Sequence, residues 1–179
     1  MASQDSAAPD HFTVVPAAYL LLCRGEGTGL EVLLQLRGPG TSYMAGHWAT
    51  AAAGHVELGE SVYAAAAREA AEELGIVVGT DDIAPLCAMQ RTMPGVTDPI
   101  EQRVDWFLTA RLWAGEPAIQ EPDKCVELGW FQPADLPEPM VPHERHLLGL
   151  LAAGNVSPIV TFGFSGPGLL ADHVGQSSL

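Results

Sequence analysis

The segment Gly54-His55-Val56-Glu57-Leu58-Gly59-Glu60-Ser61-Val62-Tyr63-Ala64-Ala65-Ala66-Ala67-Arg68-Glu69-Ala70-Ala71-Glu72-Glu73-Leu74-Gly75-Ile76 decides how this chain is read. Between Ser61 and Leu74, the residues Val62, Ala66, Ala70 and Leu74 recur every four positions in an alanine-rich context, which predicts an α-helix. Ser61 stands where a side chain caps the first turn, and Gly75 where a helix ends on a left-handed residue. At about 100° per residue, Glu72 and Glu73 fall about 60° to one side and 40° to the other of Glu69. The helix is expected to gather three carboxylates on one face and to hold the core with an apolar stripe on the opposite one.

Like charges this close raise one another's pKa values, a cost that a hard divalent cation removes. Oxygen-only ligands favour Mg²⁺, with Mn²⁺ as an alternative, and Mg²⁺ shares its remaining positions with substrate phosphates. A glutamate cluster taken alone is an ordinary solvated helix face, with Arg68 and Glu72 as an i,i+4 pair. The full pattern is more than a cluster. It reads G-x5-E-x7-R-E-U-x-E-E-x-G-U, U being aliphatic, with every fixed position matched, and its chance occurrence at one start position is on the order of 10⁻⁹.

This segment resembles the signature of the Nudix hydrolase family, completely so from Gly54 to Ile76. The resemblance implies an α/β (α+β) fold, a Nudix-type α/β/α sandwich with a mixed sheet and a loop-helix-loop catalytic motif. It implies that Glu69, Glu72 and Glu73 hold metal and activate water; Glu69 is taken as the general base, although members of the family differ in which glutamate fills that role. It further implies that Arg68 orients a motif glutamate, that Glu60, Gly54 and Gly75 are structural, and that the Ala53 carbonyl is a further metal ligand. Outside the signature, 113–117, Glu121, Glu127 and Trp130 resemble a stretch of MutT-like members that places an extra metal-binding glutamate at Glu121. Arg37 matches a phosphate-contacting arginine of such members. The chain departs from many members in having Thr50-Ala51-Ala52-Ala53 without a proline before Gly54. It also has Met140 where MutT-like enzymes that read an oxidised guanine carry Asn, so that specificity is not implied. His47, His55 and His143 read as satisfied structural or surface histidines rather than ligands.

Working outward, residues 12–23, rich in Val, Leu and Tyr, and 30–36 flank a Gly-rich turn and predict a hairpin. Residues 48–54 predict a short strand entering a tight loop, and 84–92, 103–113 and 126–132 three more strands. In the second of these, Val104, Trp106 and Leu108 alternate with Arg103, Asp105 and Thr109. Pro142 opens a second helix over 142–153, closed by Gly154-Asn155. Three segments result: a flexible N-terminal tail (1–11), one domain (12–153), and a Gly, Ser and Pro-rich extension (154–179), docked in part or flexible.

The whole-chain numbers narrow the function. With 179 residues, 47% apolar and 17% charged, one globular core is expected. The formal charge of -14 argues against a nucleic acid polymer as partner, whereas small phosphates remain accessible through a metal. No stretch approaches the ~20 apolar residues of a membrane span, and the first residues are unlike a signal peptide, so no membrane association and a cytoplasmic location are expected. Cys23, Cys87 and Cys125 suggest neither disulfides nor zinc. The expected function is Mg²⁺-dependent hydrolysis of a pyrophosphate linkage in a nucleoside triphosphate or related nucleoside diphosphate derivative, by a monomer or homodimer. An ADP-ribose or nucleotide-sugar pyrophosphatase, or a non-catalytic metabolite-binding regulator of the same fold, is the alternative.

Overall fold

The computed structural model describes residues 13–93 and 99–164; the N-terminal tail and most of the C-terminal extension lie outside these. Strand β1 (Val15–Arg24) is the spine. Its run of apolar residues is buried on both faces, as a central strand requires. One edge of β1 pairs in parallel with β6 (Arg103–Ala110), from Val15↔Arg103 to Leu22↔Ala110. The other edge is divided. Its first half pairs antiparallel with β4 (Ala52–His55), and its end pairs with β2 (Glu31–Arg37) at Cys23↔Val32 and Arg24↔Glu31. The expected hairpin therefore closes over two residue pairs before β2 diverges to pair with β3 (Trp48–Thr50) and β7 (Cys125–Phe131). Beyond β6 lie β5 (Ile83–Arg91) and then β8 (Ile159–Phe162), parallel to β5. The described part of the C-terminal extension is thus an edge strand of the sheet.

Helix α1 (Val62–Leu74) covers one face, packing Ala65, Ala66, Ala70 and Leu74 on Ala18, Leu20, Leu108 and their neighbours. Helix α2 (Pro142–Ala152) covers the other: Leu147 joins Tyr19, Met89 and Phe107, and Leu148 joins Leu21, Val32 and Trp48. This is the α/β/α sandwich with a mixed sheet. No helix of the described residues is long and apolar enough to cross a membrane.

One pattern gains its faces and one expectation needs correction. On β6 the apolar Trp106 is exposed, while Arg103 and Asp105 are buried. Alternation tells which residues share a face but not how far each face is covered; here both are, with Leu108 buried on the α1 side and Phe107 on the α2 side, and only Trp106 is left exposed. On α1, Ser61 does accept from the Ala64 N–H and Gly75 is left-handed (φ 68°). The carboxylates, however, do not lie opposite the apolar stripe. About Ala66, Glu69 and Glu73 are turned by only about 60° and 20°. Both therefore adjoin the buried face: Glu69 is buried and Glu73 partly so, and Glu72 alone is exposed.

Candidate active site

The helix meets β4 at Ala53-Gly54, and that contact builds the site. The Ala53 N–H donates to Glu73 Oε2 (2.9 Å). A Cβ at Gly54 would run into the Glu69 carboxyl, so glycine is required for the carboxyl to sit against the strand. Arg68 then ties loop to helix. Its Nη2 donates to Glu60 Oε1 (2.8 Å) and to the His55 carbonyl (3.0 Å), and its Nη1 to Glu69 Oε1 (2.7 Å) and Glu72 Oε2 (3.1 Å). Glu60 accepts in addition from the Glu57 N–H (2.8 Å). The hydrogen bond from Arg68 is the main reason that Glu60 stays below the usual carboxylate range and that the guanidinium is held in its charged form.

Burial acts in the opposite direction on the two inner glutamates. It raises Glu69, with Arg68 offsetting part of the effect. It raises Glu73 further, from 4.5 to about 8; the Ala53 N–H opposes this, while Glu69 and Glu121 add to it. Across the groove, Glu121 Oε1 accepts from Lys124 Nζ (2.8 Å). The loop carrying both is gripped by residues following β2. The Gly38 N–H donates to the Lys124 carbonyl (2.6 Å) and the Gly40 N–H to the Asp123 carbonyl (2.8 Å), and a Cβ on either glycine would lie 2.6 Å from that Asp123 oxygen. Glu69, Glu72, Glu73 and Glu121 thus line one open groove together with Ala53, Arg68 and Lys124.

Among the described residues, no three carboxylate, imidazole or thiol groups already converge as a metal cage. Arg68 and Lys124 neutralise Glu60, Glu69, Glu72 and Glu121 in this arrangement, whereas Glu73 has only a peptide N–H as its hydrogen-bond partner. The donor set still fits a hard dication. It is all oxygen, and it centres on a carboxyl that burial holds protonated until a cation stabilises its charge.

Ala53, Gly54 and His55 also belong to a second cavity of about 450 Å³. Arg37 lines it; its Nε donates to the Tyr43 carbonyl (2.9 Å), which leaves its terminal nitrogens for an anion. Farther in, Arg91 and Arg103 stand directly opposite each other on β5 and β6. Their repulsion is relieved by fully buried Asp105, whose Oδ2 accepts from Arg91 Nε and whose Oδ1 accepts from Arg103 Nε (3.2 Å). Glu101 lies 3.6 Å from Arg91. His55 Nε2 is 3.1 Å from Arg103 Nη1, so that imidazole belongs to the cavity wall. His143, expected to be a satisfied histidine, is buried with Nε2 lacking a hydrogen-bond partner. Burial first, then Arg91, Arg103 and Arg37, hold its ring neutral. Glu144 accepts from the Thr50 N–H, and burial pushes it up to about 7.

Sequence reasoning missed Lys124, Arg91, Arg103, His143 and Glu144, though one signal was available. The chain has only eight Lys and Arg. Three of them, Arg37, Arg91 and Arg103, line the cavity and two, Arg68 and Lys124, the groove, so five of the eight gather at one place on an acidic molecule.

A family model described as the NUDIX domain matches residues 13–151. The NAD-capped RNA hydrolase NudC of Deinococcus radiodurans is 34% identical over 137 residues, which are 75% of this chain and 44% of that protein. The isopentenyl-diphosphate Delta-isomerase of Nocardia farcinica is 32% identical over 109 residues, 61% of this chain and 60% of that one. The chain spans about half the length of these curated relatives. Among solved structures, the MutT NUDIX hydrolase from Burkholderia pseudomallei superimposes with a TM-score of 0.59 at 30% identity, covering 75% of this chain and 96% of that one. The NUDIX domain of Shewanella oneidensis NrtR, solved with ADP ribose, reaches 0.63 at 19% identity, covering 83% and 94%, a likeness of fold alone. With the complete signature folded around Ala53 and Gly54 and the family model matched over most of its length, the chain belongs to the Nudix hydrolase family.

Proposed function

We propose that the chain is a Mg²⁺-dependent pyrophosphohydrolase that cleaves a phosphoanhydride bond in a nucleoside triphosphate or a related nucleoside diphosphate derivative. One observation carries the reading: Glu73 is partly buried in the groove beside Glu69 and Glu121, with no cation hydrogen-bonded to it among the described residues and its pKa pushed up to about 8, chiefly by burial. A buried carboxyl among other carboxyls is costly in a structural role and natural where a dication is to be bound. When bound, Mg²⁺ supplies positive charge to the bridging and leaving oxygens and makes water a better nucleophile at neutral pH.

The chain's own side chains do the rest. Glu72, Glu73, Glu121 and the Ala53 carbonyl are the ligands, with Glu69 as a further ligand and as the base that takes a proton from the attacking water. Arg68 holds Glu69 at 2.7 Å and keeps it aimed along the groove. Arg37, on the wall of the cavity that adjoins the groove, binds a substrate phosphate through its guanidinium fork. NAD-capped RNA and isopentenyl diphosphate, named for the two curated relatives, both contain a diphosphate, which is the chemical feature carried over here. Nucleoside triphosphates lead as substrates, with ADP-ribose and nucleotide sugars next.

The test is release of phosphate or pyrophosphate from a panel of nucleotides, with and without Mg²⁺. Metal-dependent turnover is expected, and Glu73→Gln should lower it by at least ~10²-fold, the scale of losing acid–base or metal-ligand function. A fully active Glu73→Gln enzyme overturns the site.

A further inference from the structure

Lys124 is the only lysine in the sequence, and it lies in the carboxylate groove. Among the described residues its ammonium has a single hydrogen-bond partner, Glu121 Oε1 at 2.8 Å. That bond is the main reason its pKa lies above the ordinary value, and Glu73 and Glu69 add to it through space. The other cation of the groove is anchored differently. Arg68 binds Glu60 and the His55 carbonyl as well as Glu69 and Glu72, so it stays in place even where its bonds within the groove are given up.

The backbone under Lys124 is fixed. The Glu121 carbonyl accepts from the Lys124 and Cys125 N–H groups, both at 2.9 Å, and the Lys124 carbonyl accepts from the Gly38 N–H. The side chain, by contrast, is 56% exposed on a flexible stem. It is free to change partner without disturbing the loop, and an exposed ion pair of this kind is weak.

We propose that Lys124 is a binding residue with two successive partners: in the absence of metal it holds Glu121, and once Glu121 coordinates the dication it pairs with a phosphate of the substrate. The inference rests on the metal-hydrolase reading of the groove. A carboxylate that takes a dication brings two positive charges beside the ammonium bonded to it, and like charges at that range repel. The released ammonium, a compact charge with three donors, finds its counter-ion in the phosphates that share the dication.

The test follows the side-chain nitrogen by NMR in the full chain labelled with ¹⁵N-lysine, detected through the ε-methylene protons. One lysine gives one signal. Mg²⁺ is added alone, and then adenosine 5′-(α,β-methylene)diphosphate, whose bridging carbon resists cleavage. The signal should move with Mg²⁺ and again with the analogue. Calorimetry on Lys124→Met should show effects of opposite sign. Mg²⁺ should bind about threefold more tightly, because no ammonium competes for Glu121. The analogue at saturating Mg²⁺ should bind about tenfold more weakly, the scale of one charged hydrogen bond. Lys124→Arg, which keeps the charge, should bring both values back toward wild type. A residue that only steadied the loop would weaken both ligands together, and that result, no change in either, or a lysine signal indifferent to both additions overturns the proposal. If the wild-type protein cleaves diphosphates with Mg²⁺ while the lysine signal stays put, this inference alone fails. If the signal moves twice and the two affinities shift in opposite directions but no diphosphate is cleaved, the hydrolase reading alone fails.

Discussion

At the scale of the residue, the informative side chains are carboxyls removed from water. Glu144 titrates near 7 in the folded chain against an ordinary 4.5, so the folded state retains a proton that the unfolded chain releases. Stability attached to this group is complete below about pH 4.5 and is lost as pH rises to about 7, on the order of a few kcal/mol. Urea melts of Glu144→Gln against wild type across that window should show a flatter pH dependence in the variant; parallel curves would mean that the carboxyl is hydrated. Glu73 contributes a slope of the same sign up to about pH 8. Because a dication must displace its proton, Mg²⁺ or Mn²⁺ affinity measured calorimetrically should increase with pH up to that value and then level. None of this environment was legible beforehand. The spacing of Glu69, Glu72 and Glu73 gave their common side of the helix, but which of them would be dry depended on Ala53 and Gly54 of a strand arriving from elsewhere in the fold.

At the scale of the element, α1 was readable nearly to the residue, because its signals are local: a four-residue repeat, a serine cap and a terminal glycine. Ser61→Ala removes the hydrogen bond to the Ala64 N–H and should lower stability by about 1 kcal/mol, seen as a lower denaturant midpoint with unchanged slope. β6 shows the opposite case. Its alternation was visible but the burial of its polar residues was not, because that depends on Asp105 pairing with Arg103 on its own strand and with Arg91 of β5, 14 residues away. β8 escaped notice since four residues amid Gly, Ser and Pro carry too little pattern; its place is set by pairing with β5 from Ala88↔Ile159 to Arg91↔Phe162.

At the scale of the whole molecule, a chain of formal charge -14 concentrates five of its eight basic side chains around one groove and its adjoining cavity. A dication seated there should stabilise the entire fold by mass action, about 2.7 kcal/mol at a hundredfold excess over its dissociation constant. For a domain of this size that corresponds to a melting point several degrees higher. Scanning calorimetry with 10 mM Mg²⁺ against EDTA measures it, and the increment should shrink in Glu73→Gln.

The pinning of the Glu121–Lys124 loop by Gly38 and Gly40 makes one bracket of parts that serve different chemistry. Arg37, proposed above to bind a substrate phosphate, directly precedes the first of those glycines, and Glu121, proposed as a metal ligand, sits just before the backbone they hold. Neither can shift without dragging its counterpart, so any widening to admit substrate must come from the facing wall. Prising the bracket apart with Gly40→Ala should therefore weaken ion and nucleotide binding in step.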